Sequence, residues 1–446
     1  MRKIVLFFFL ITCISAFAQR QWSLEECIEY AVAHNISVKQ LEIQRAAAEI
    51  TLNTSKMSRL PDLNASAGQN FSFGRSTLGD NISQQVNSAQ SSLGVQTSVP
   101  LFTGFRIPNE IARDRIDLQA ATQSLERAKD DISLNVAMLF LQVLFNEELL
   151  KISNEQIALT QEQLAKTQAL VDAGKVPSAQ LADVRAQLAN DRVSVVQAEN
   201  NVKNALLDLA QSLELDNFTD FDIRVPNLEN PVEIHQNAEQ VYATALHIKP
   251  AIKEQELRIE SAQKTLKIAQ SGYFPTLNLS AGISNNYFYS YGLGINPQTG
   301  EQLKNALFSQ QIKDNLSEYV ALSLNIPIFS RFQTRNNVKN SRLNIENQQF
   351  ILETAKKSLF KEIQTAYLNA TAAQEKFRAA ETATDATSEA FQLAQDKYST
   401  GKSTAFELNE ARTRWLRNRS DAVQAKYDYI FRSKILDFYE GKKLSL

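Results

Sequence analysis

The sequence predicts a mainly helical chain that places β-strands in a membrane and is built from one unit used twice. Three observations predict it: a duplicated proline signal with a glycine at a fixed distance beyond it, a period-two residue pattern between such signals, and long segments poor in Gly and Pro that carry a heptad repeat. Val99-Pro100-Leu101-Phe102 and Ile326-Pro327-Ile328-Phe329 are the two copies, and Gly174 and Gly401 each follow their proline by 74 residues. A second pair, Arg59-Leu60-Pro61-Asp62-Leu63 and Tyr273-Phe274-Pro275-Thr276-Leu277, is offset by 214 residues rather than 227. The 13-residue difference falls between the proline signals, in a segment that must end in a tolerant loop.

The chain opens with Arg2 and Lys3 ahead of an apolar run from Ile4 to Phe17 that closes on Ala16-Phe17-Ala18. A basic start, an apolar stretch and a small-x-small ending predict an export signal at residues 1–18, with Gln19 as the first mature residue. Cys13 fits a lipoprotein signal poorly, because Thr12 precedes it and cleavage there would cut the apolar run short. Removal of the signal leaves Cys27 as the one cysteine, so no disulfide within the chain is expected. No later stretch reads as the ~18 apolar residues of a membrane helix, so spanning a membrane falls to strands.

Those strands come next. Leu63, Ala65, Ala67, Phe71 and Phe73 alternate with small polar residues, and Leu93, Val95, Val99 and Leu101 alternate with Gly94, Gln96 and Ser98 on the way back. In the second copy Leu277, Leu279, Ala281 and Ile283 alternate with Asn278, Ser280, Gly282 and Ser284, and Val320, Leu322, Leu324, Ile326 and Ile328 return. Four strands of roughly ten residues, each with one apolar and one small-polar face, follow the dyad pattern of an outer-membrane barrel. For any single strand a half-buried soluble hairpin reads the same. Phe71, Phe73, Tyr287, Phe288, Tyr289 and Tyr291 at one end, and Tyr273, Phe274, Phe102 and Phe329 at the other, suit two aromatic girdles, although core packing uses the same residues.

Beyond each returning strand the chain turns helical. Residues 105–173 contain one proline, Pro108, at a tolerated first turn, and predict a helix ~100 Å long. Val136, Val143, Leu150, Ile157, Leu164 and Val171 recur every seventh residue, and the second copy reads Ile363, Ala370, Phe377, Thr384, Phe391 and Tyr398. A sustained heptad means packing along the whole helix. After each glycine a shorter helix returns, through Leu181, Val184 and Leu188 and then through Leu408, Ala411 and Trp415. Residues 213–231, with Asp216, Asn217, Asp220, Asp222, Pro226, Asn227 and Pro231, read as a connector. The expected organisation is a first repeat at 19–212, with strands at 62–74 and 90–101 and a helix at 105–173. A connector at 213–238 leads to a second repeat at 239–446, with strands at 276–290 and 317–328 and a helix at 332–399.

Composition narrows the chemistry. A formal charge of −2 with 22% charged residues gives no footprint for nucleic acid. His34, His235 and His247 lack metal-ligand spacing, and the 13 glycines form no phosphate-cradling loop, so neither an enzyme nor a cofactor is expected. Arg412, Arg414, Arg417 and Arg419 form a basic run that reads as i,i+4 pairing on a solvated helix.

Four strands cannot close a membrane barrel, since the smallest have about eight, and lipid tolerates no open edge. The chain must therefore assemble; three copies supply twelve strands. Taken together, Asn35 opening a helix, the two proline signals into the strands, the two out of them, and the tip glycines Gly174 and Gly401 resemble the TolC family of outer-membrane efflux channels across the mature chain. The resemblance implies a homotrimer whose twelve-stranded β-barrel, four strands per chain, sits in outer-membrane lipid and continues into a long periplasmic α-helical barrel with an equatorial region. It further implies a periplasmic adaptor (membrane fusion protein) and an inner-membrane pump of RND or ABC type as partners, with the channel itself passive.

Within that resemblance, acidic residues six and nine after the second tip glycine narrow the periplasmic entrance; Glu407 and Glu410 stand there, three residues apart on one helix face. A trimer gathers six such carboxylates, which favours cations and raises some of their pKa values by like-charge repulsion. A solvated helix face is the plain alternative. Tyr398 matches a tyrosine three before the glycine, while Ser403 and Gln180 replace the residues of the family's ion-pair lock between hairpins. Gly174, Lys175, Val176, Gly401, Lys402, Ser403 and Leu408 are the expected adaptor-docking tips. A type I secretion duct, a helical pore-forming toxin and a periplasmic coiled-coil scaffold remain other readings, but neither of the last two needs a duplicated four-strand pattern.

Overall fold

A computed structural model describes residues 21–445 apart from 79–81, 86, 217–220, 227–236, 292 and 294–303. The expected export signal, and Asn217, Asp220, Asn227, Pro231 and His235 of the connector, lie outside the described residues. In chain order the elements are β1 (Gln21–Trp22), α1 (Leu24–His34), α2 (Ile36–Met57), β2 (Asp62–Ser72), β3 (Arg75–Leu78), β4 (Ile82–Gln85), β5 (Asn87–Phe102), α3 (Arg106–Asp172) and α4 (Ser178–Ser212). There follow β6 (Asp222–Ile223), α5 (Ala238–Ile248), α6 (Pro250–Ser271), β7 (Thr276–Tyr291), α7 (Phe308–Asp314), β8 (Ser317–Asn325), α8 (Gln333–Ser399) and α9 (Ala405–Tyr439). The two copies match closely: α3 and α8 are each 67 residues long, and α4 and α9 each 35.

The chain divides into two compact units. The first contains the described residues of Met1–Gln44, Thr122–Glu254 and Glu353–Leu446. Its largest core packs Val136, Phe140, Val143 and Leu144 of α3 against Leu209 of α4, Cys27 and Ala31 of α1, and Ile223 of β6. Ser23 and Glu26 start α1 with a reciprocal capping box. Asn35 ends α1, and its side chain then accepts from the Ser37 amide at 2.9 Å to open α2. Burial, helped by Glu26 and Glu25, pushes the Cys27 thiol up to about 12, so it acts as an inert core residue. Contrary to expectation, α3 does include an 18-residue window apolar enough to cross a membrane by composition. Val136, Phe140, Val143 and Leu144 of the same helix pack in this core against α1 and α4, and 39% of the window is buried.

The second unit, Arg45–Ala121 with Gln255–Leu352, holds an antiparallel sheet in the order β2-β5-β7-β8. Register sorts its side chains by face, because directly paired residues point the same way. One face carries the rungs Leu63–Thr97–Ala281–Val320, Ala65–Val95–Ile283–Glu318 and Val99–Leu279–Leu322. The other carries Asn64–Gln96–Gly282–Tyr319, Ser66–Gly94–Ser284–Ser317 and Ser98–Ser280–Ala321. The first face is thus mainly apolar, interrupted by Thr97 and Glu318, and the second mainly small and polar, interrupted by Tyr319. Strand β5 starts earlier than the alternation suggests, at Asn87, and β8 stops at Asn325, short of Pro327, whose missing N–H cannot serve a ladder. Two additions went unread in the sequence: the β3–β4 hairpin and α7, whose Gln311 exchanges two 2.9 Å hydrogen bonds with the Phe288 backbone. Duplication also shows in backbone angles. Gly104 and Phe105 lie at φ 61° and 66° before α3, and Arg331 and Phe332, 227 residues later, at 50° and 62° before α8.

Candidate functional site

Both tips lie in the first unit. Each long helix ends on a left-handed glycine, Gly174 at φ +65° and Gly401 at φ +74°. At the first, Gly174 N–H donates to Val171 O and Lys175 N–H to Leu170 O, both at 2.9 Å. At the second, Gly401 N–H donates to Tyr398 O at 3.0 Å and Lys402 N–H to Lys397 O at 2.8 Å. This pair of bonds is the Schellman closure, and it satisfies carbonyls that the helix end leaves free. The tips are therefore two copies of one turn. Lys175 and Lys402 are exposed, Val176 and Ser403 half-buried. Leu408, expected at the docking surface, is only 6% exposed. It anchors α9 from inside, because the first inward position of a packed helix must be apolar. Phe406, two residues earlier, is 76% exposed.

The two acidic residues have local partners. Glu407 is the third residue of α9 and closes a capping box: its carboxylate accepts from the Thr404 N–H at 3.1 Å, while its own N–H donates to Thr404 Oγ1 at 3.2 Å. The Thr-x-x-Glu spacing was visible in the sequence. Glu410 accepts from Arg414 at 2.7 Å, an exposed i,i+4 pair. Both carboxylates are exposed, and Tyr398, half-buried, is one turn before Gly401.

The basic run separates by partner. Arg414 behaves as expected, but Arg419 meets Glu155 of α3 at 2.5 Å, and Arg412 is buried at 4% exposure. Arg412 Nη2 donates to Gln156 O at 2.9 Å and to Thr160 Oγ1, and it lies 3.6 Å from Asp191 Oδ2. Asp191 of α4 also accepts from Gln156 Nε2 at 2.9 Å, from Gln187 Nε2 at 2.8 Å and from Thr160. Burial pulls the Arg412 guanidinium below its ordinary value, and Asp191 draws it back up. One arginine of the second hairpin is thereby bonded to both helices of the first. Its partners lie 256 and 252 residues away at Gln156 and Thr160. Periodicity carries no information at that range. His34, by contrast, stacks on Tyr30 with ring centroids 3.9 Å apart, a local structural role.

A four-stranded sheet with one apolar face, joined to two helical hairpins that close on glycine turns, defines a channel subunit of the outer membrane. A sequence profile described as "Outer membrane efflux protein" matches residues 27–214 and 241–439. Outer membrane protein TolC of Escherichia coli (strain K12) is 22% identical over 421 residues, which cover 92% of this chain and 80% of that protein. TolC of Vibrio cholerae serotype O1 is 22% identical over 428 residues, 95% of this chain and 92% of that protein. Among solved structures, CusC superposes with a TM-score of 0.76 at 17% identity, over 94% of this chain and 92% of that one. The Campylobacter jejuni CmeC outer membrane channel gives 0.74 at 17% identity, over 95% and 87%. The chain belongs to the outer membrane efflux protein family, and it is an outer-membrane efflux or secretion duct.

Proposed function

We propose that three copies of this chain close one twelve-stranded barrel, and that their hairpins form the passive exit duct of a tripartite system, docked on a periplasmic adaptor and an inner-membrane pump. The observation that carries the reading is the sheet, which has one apolar face and ends on β2 and β8. Lipid leaves no edge unpaired, so β2 of one copy pairs with β8 of the next. Helix α2 supports assembly independently. Ile36, Ile43, Ile50 and Met57 stand at every seventh position and each is more than half exposed; Leu343 and Phe350 on α8 are spaced and exposed alike. Such a stripe calls for a partner helix. Native mass spectrometry of the detergent-solubilised protein gives a trimer, and a stable monomer with no larger species overturns the reading.

At the tips, Glu407, Glu410 and Tyr398 narrow the periplasmic entrance. Gly174, Lys175, Val176, Gly401, Lys402 and Ser403, with Phe406, meet the adaptor, while Leu408 holds this surface from beneath. The capping role of Glu407 dictates the test. Glu407→Gln keeps an acceptor for the Thr404 amide and removes the charge. The double variant Glu407→Gln/Glu410→Gln lowers cation preference and block by multivalent cations in planar bilayers, because about six carboxylates leave one ring. Unchanged selectivity returns both residues to structural roles.

A further inference from the structure

We infer that the turn joining β8 to α8 holds the head group of an anionic phospholipid in the leaflet that faces the periplasm. The inference rests on the barrel reading, which sets the apolar face of the sheet in lipid and the helices in the periplasm, so that this turn meets the membrane boundary. Duplication supplies an internal comparison. Each copy leaves its returning strand through a pair of edge-to-face rings: Phe102 and Phe105, centroids 5.3 Å apart, in the first, and Phe329 and Phe332, 5.6 Å apart, in the second. In the first copy Phe105 also meets Phe274, and Gly104 between the rings is pressed against the end of α6, where an added Cβ would lie 2.7 Å from the Ser271 carbonyl oxygen. In the second copy Phe329 and Phe332 are 71% and 56% exposed, and Arg331 stands at the position equivalent to Gly104. Arg331 is itself exposed, at φ 50°. That backbone region suits glycine and is uncommon for any other residue, so an unpacked arginine held there points to a functional use.

Charge gives this exposed apolar turn a chemical preference. Arg331, Arg335, Lys339 and Arg342 follow one another in a stretch with no acid between Glu318 and Glu346. Arg335, Lys339 and Arg342, four and three residues apart, share one face of α8. All four cations are exposed, and none forms an ion pair among the described residues. Arg335 lies over the Phe332 ring, 5.7 Å from its centroid. The first copy has Gly104, Pro108 and Ala112 where the second has Arg331, Arg335 and Lys339, and its Arg106 is matched by Glu110 at 2.9 Å. Of the two exits, the second alone presents unmatched positive charge beside its rings. Depth fits as well. Arg331 and Arg335 are ~6 Å apart along the helix direction at 1.5 Å per residue, and the head-group layer on each side of the hydrocarbon is ~5–8 Å thick. Aromatic rings favour that layer, and a guanidinium donates two parallel hydrogen bonds to a phosphate. A phosphodiester carrying net negative charge answers the cations, and its glycerol and upper acyl chains cover the rings.

The test reads the barrel and the head group separately. Insertion of the mature protein into vesicles of pure phosphatidylcholine, followed by flotation, tests the barrel; failure there overturns the barrel reading and this inference together. Delipidated protein in detergent is then titrated with an equimolar mixture of phosphatidylglycerol and phosphatidylcholine of matched chains, and native mass spectrometry counts the bound lipid. Phosphatidylglycerol is retained over phosphatidylcholine by about fivefold, the factor that one basic residue contributes near an anionic surface. Arg331→Gly/Arg335→Gln removes the preference. Glycine suits the left-handed turn and Arg335 is exposed, so this variant folds and assembles as the parent does. Equal retention of the two lipids by a protein that inserts, or a preference that survives in the variant, overturns the head-group site and leaves the barrel standing. Displacement of phosphatidylglycerol by equimolar glycerol 3-phosphate assigns the cations to a soluble phosphate and overturns it too. A variant that falls apart to monomers makes the two arginines contacts between copies, which overturns it equally.

Discussion

Arg412→Ala destabilises the helical hairpins by ~3–5 kcal/mol, because removing one member leaves its partner charge buried without compensation. The pair is almost fully enclosed, with side-chain exposures of 5% for Arg412 and 4% for Asp191. The loss falls toward the lower figure, since Gln156, Gln187 and Thr160 continue to donate to Asp191. Arg414→Ala is the internal control. Its exposed i,i+4 partner Glu410 contributes ~0.3–0.5 kcal/mol, so two arginines two residues apart differ several-fold in effect. Urea unfolding followed by helical circular dichroism, at fixed protein concentration because assembly adds to apparent stability, separates them. Equal losses for the two variants would mean that Arg412 does not tie the hairpins. Replacing both members, Arg412→Leu with Asp191→Leu, restores most of the stability, as apolar substitutes for buried pairs do. The pair then sets the register between hairpins rather than their cohesion.

Gly401→Val abolishes export while leaving assembly and membrane insertion intact, and Gly174→Val does the same. A Cβ built on either glycine meets nothing within 4 Å, so the substitution makes no clash. Its cost is the left-handed backbone, ~1–2 kcal/mol for an L-residue and worse for a β-branched one. That sum is too small to unfold a domain stabilised by ~5–15 kcal/mol. It is enough to shift the turn out of the Schellman closure and re-aim Lys402, Ser403 and Phe406. The strands belong to the other compact unit and are untouched. Gly401→Asn, which tolerates the left-handed region, retains export. Substrate-export assays in cells, paired with unboiled gel migration, read both outcomes. Normal export by the valine variants, or their failure to assemble, would remove these turns from the proposed partner interface.

Much of the architecture was legible because it rests on short-range physics. Alternation at period two places Leu277, Leu279 and Ala281 on one face wherever the strand is put, and the heptad from Val136 to Val171 marks a packed helix in any context. A glycine ending a helix carries its own conformational reason, as Gly174 and Gly401 do. Two signals of equally short range were present and went unread. The Thr404-x-x-Glu407 spacing gives the carboxylate a capping role before any entrance is considered, and Ile36, Ile43, Ile50 and Met57 form the exposed apolar stripe on which the proposed assembly rests.

Contacts between distant segments followed no local pattern. Spacing of four from Leu408 and Leu416 puts Arg412, alone of the four arginines, on the inward face of α9, but nothing local says which partners meet it there. The approach of α3 and α4 removes water from Arg412 and sets Asp191 and Thr160 against it. The same approach buries Leu408 and leaves Phe406 outside, although both are apolar residues of one helical turn. Residue type and spacing dictate which elements form and which face of each is apolar, since those follow from backbone geometry and transfer from water. Which polar groups lose their water depends on elements hundreds of residues apart meeting in space, and burial of that kind exists once the chain has folded.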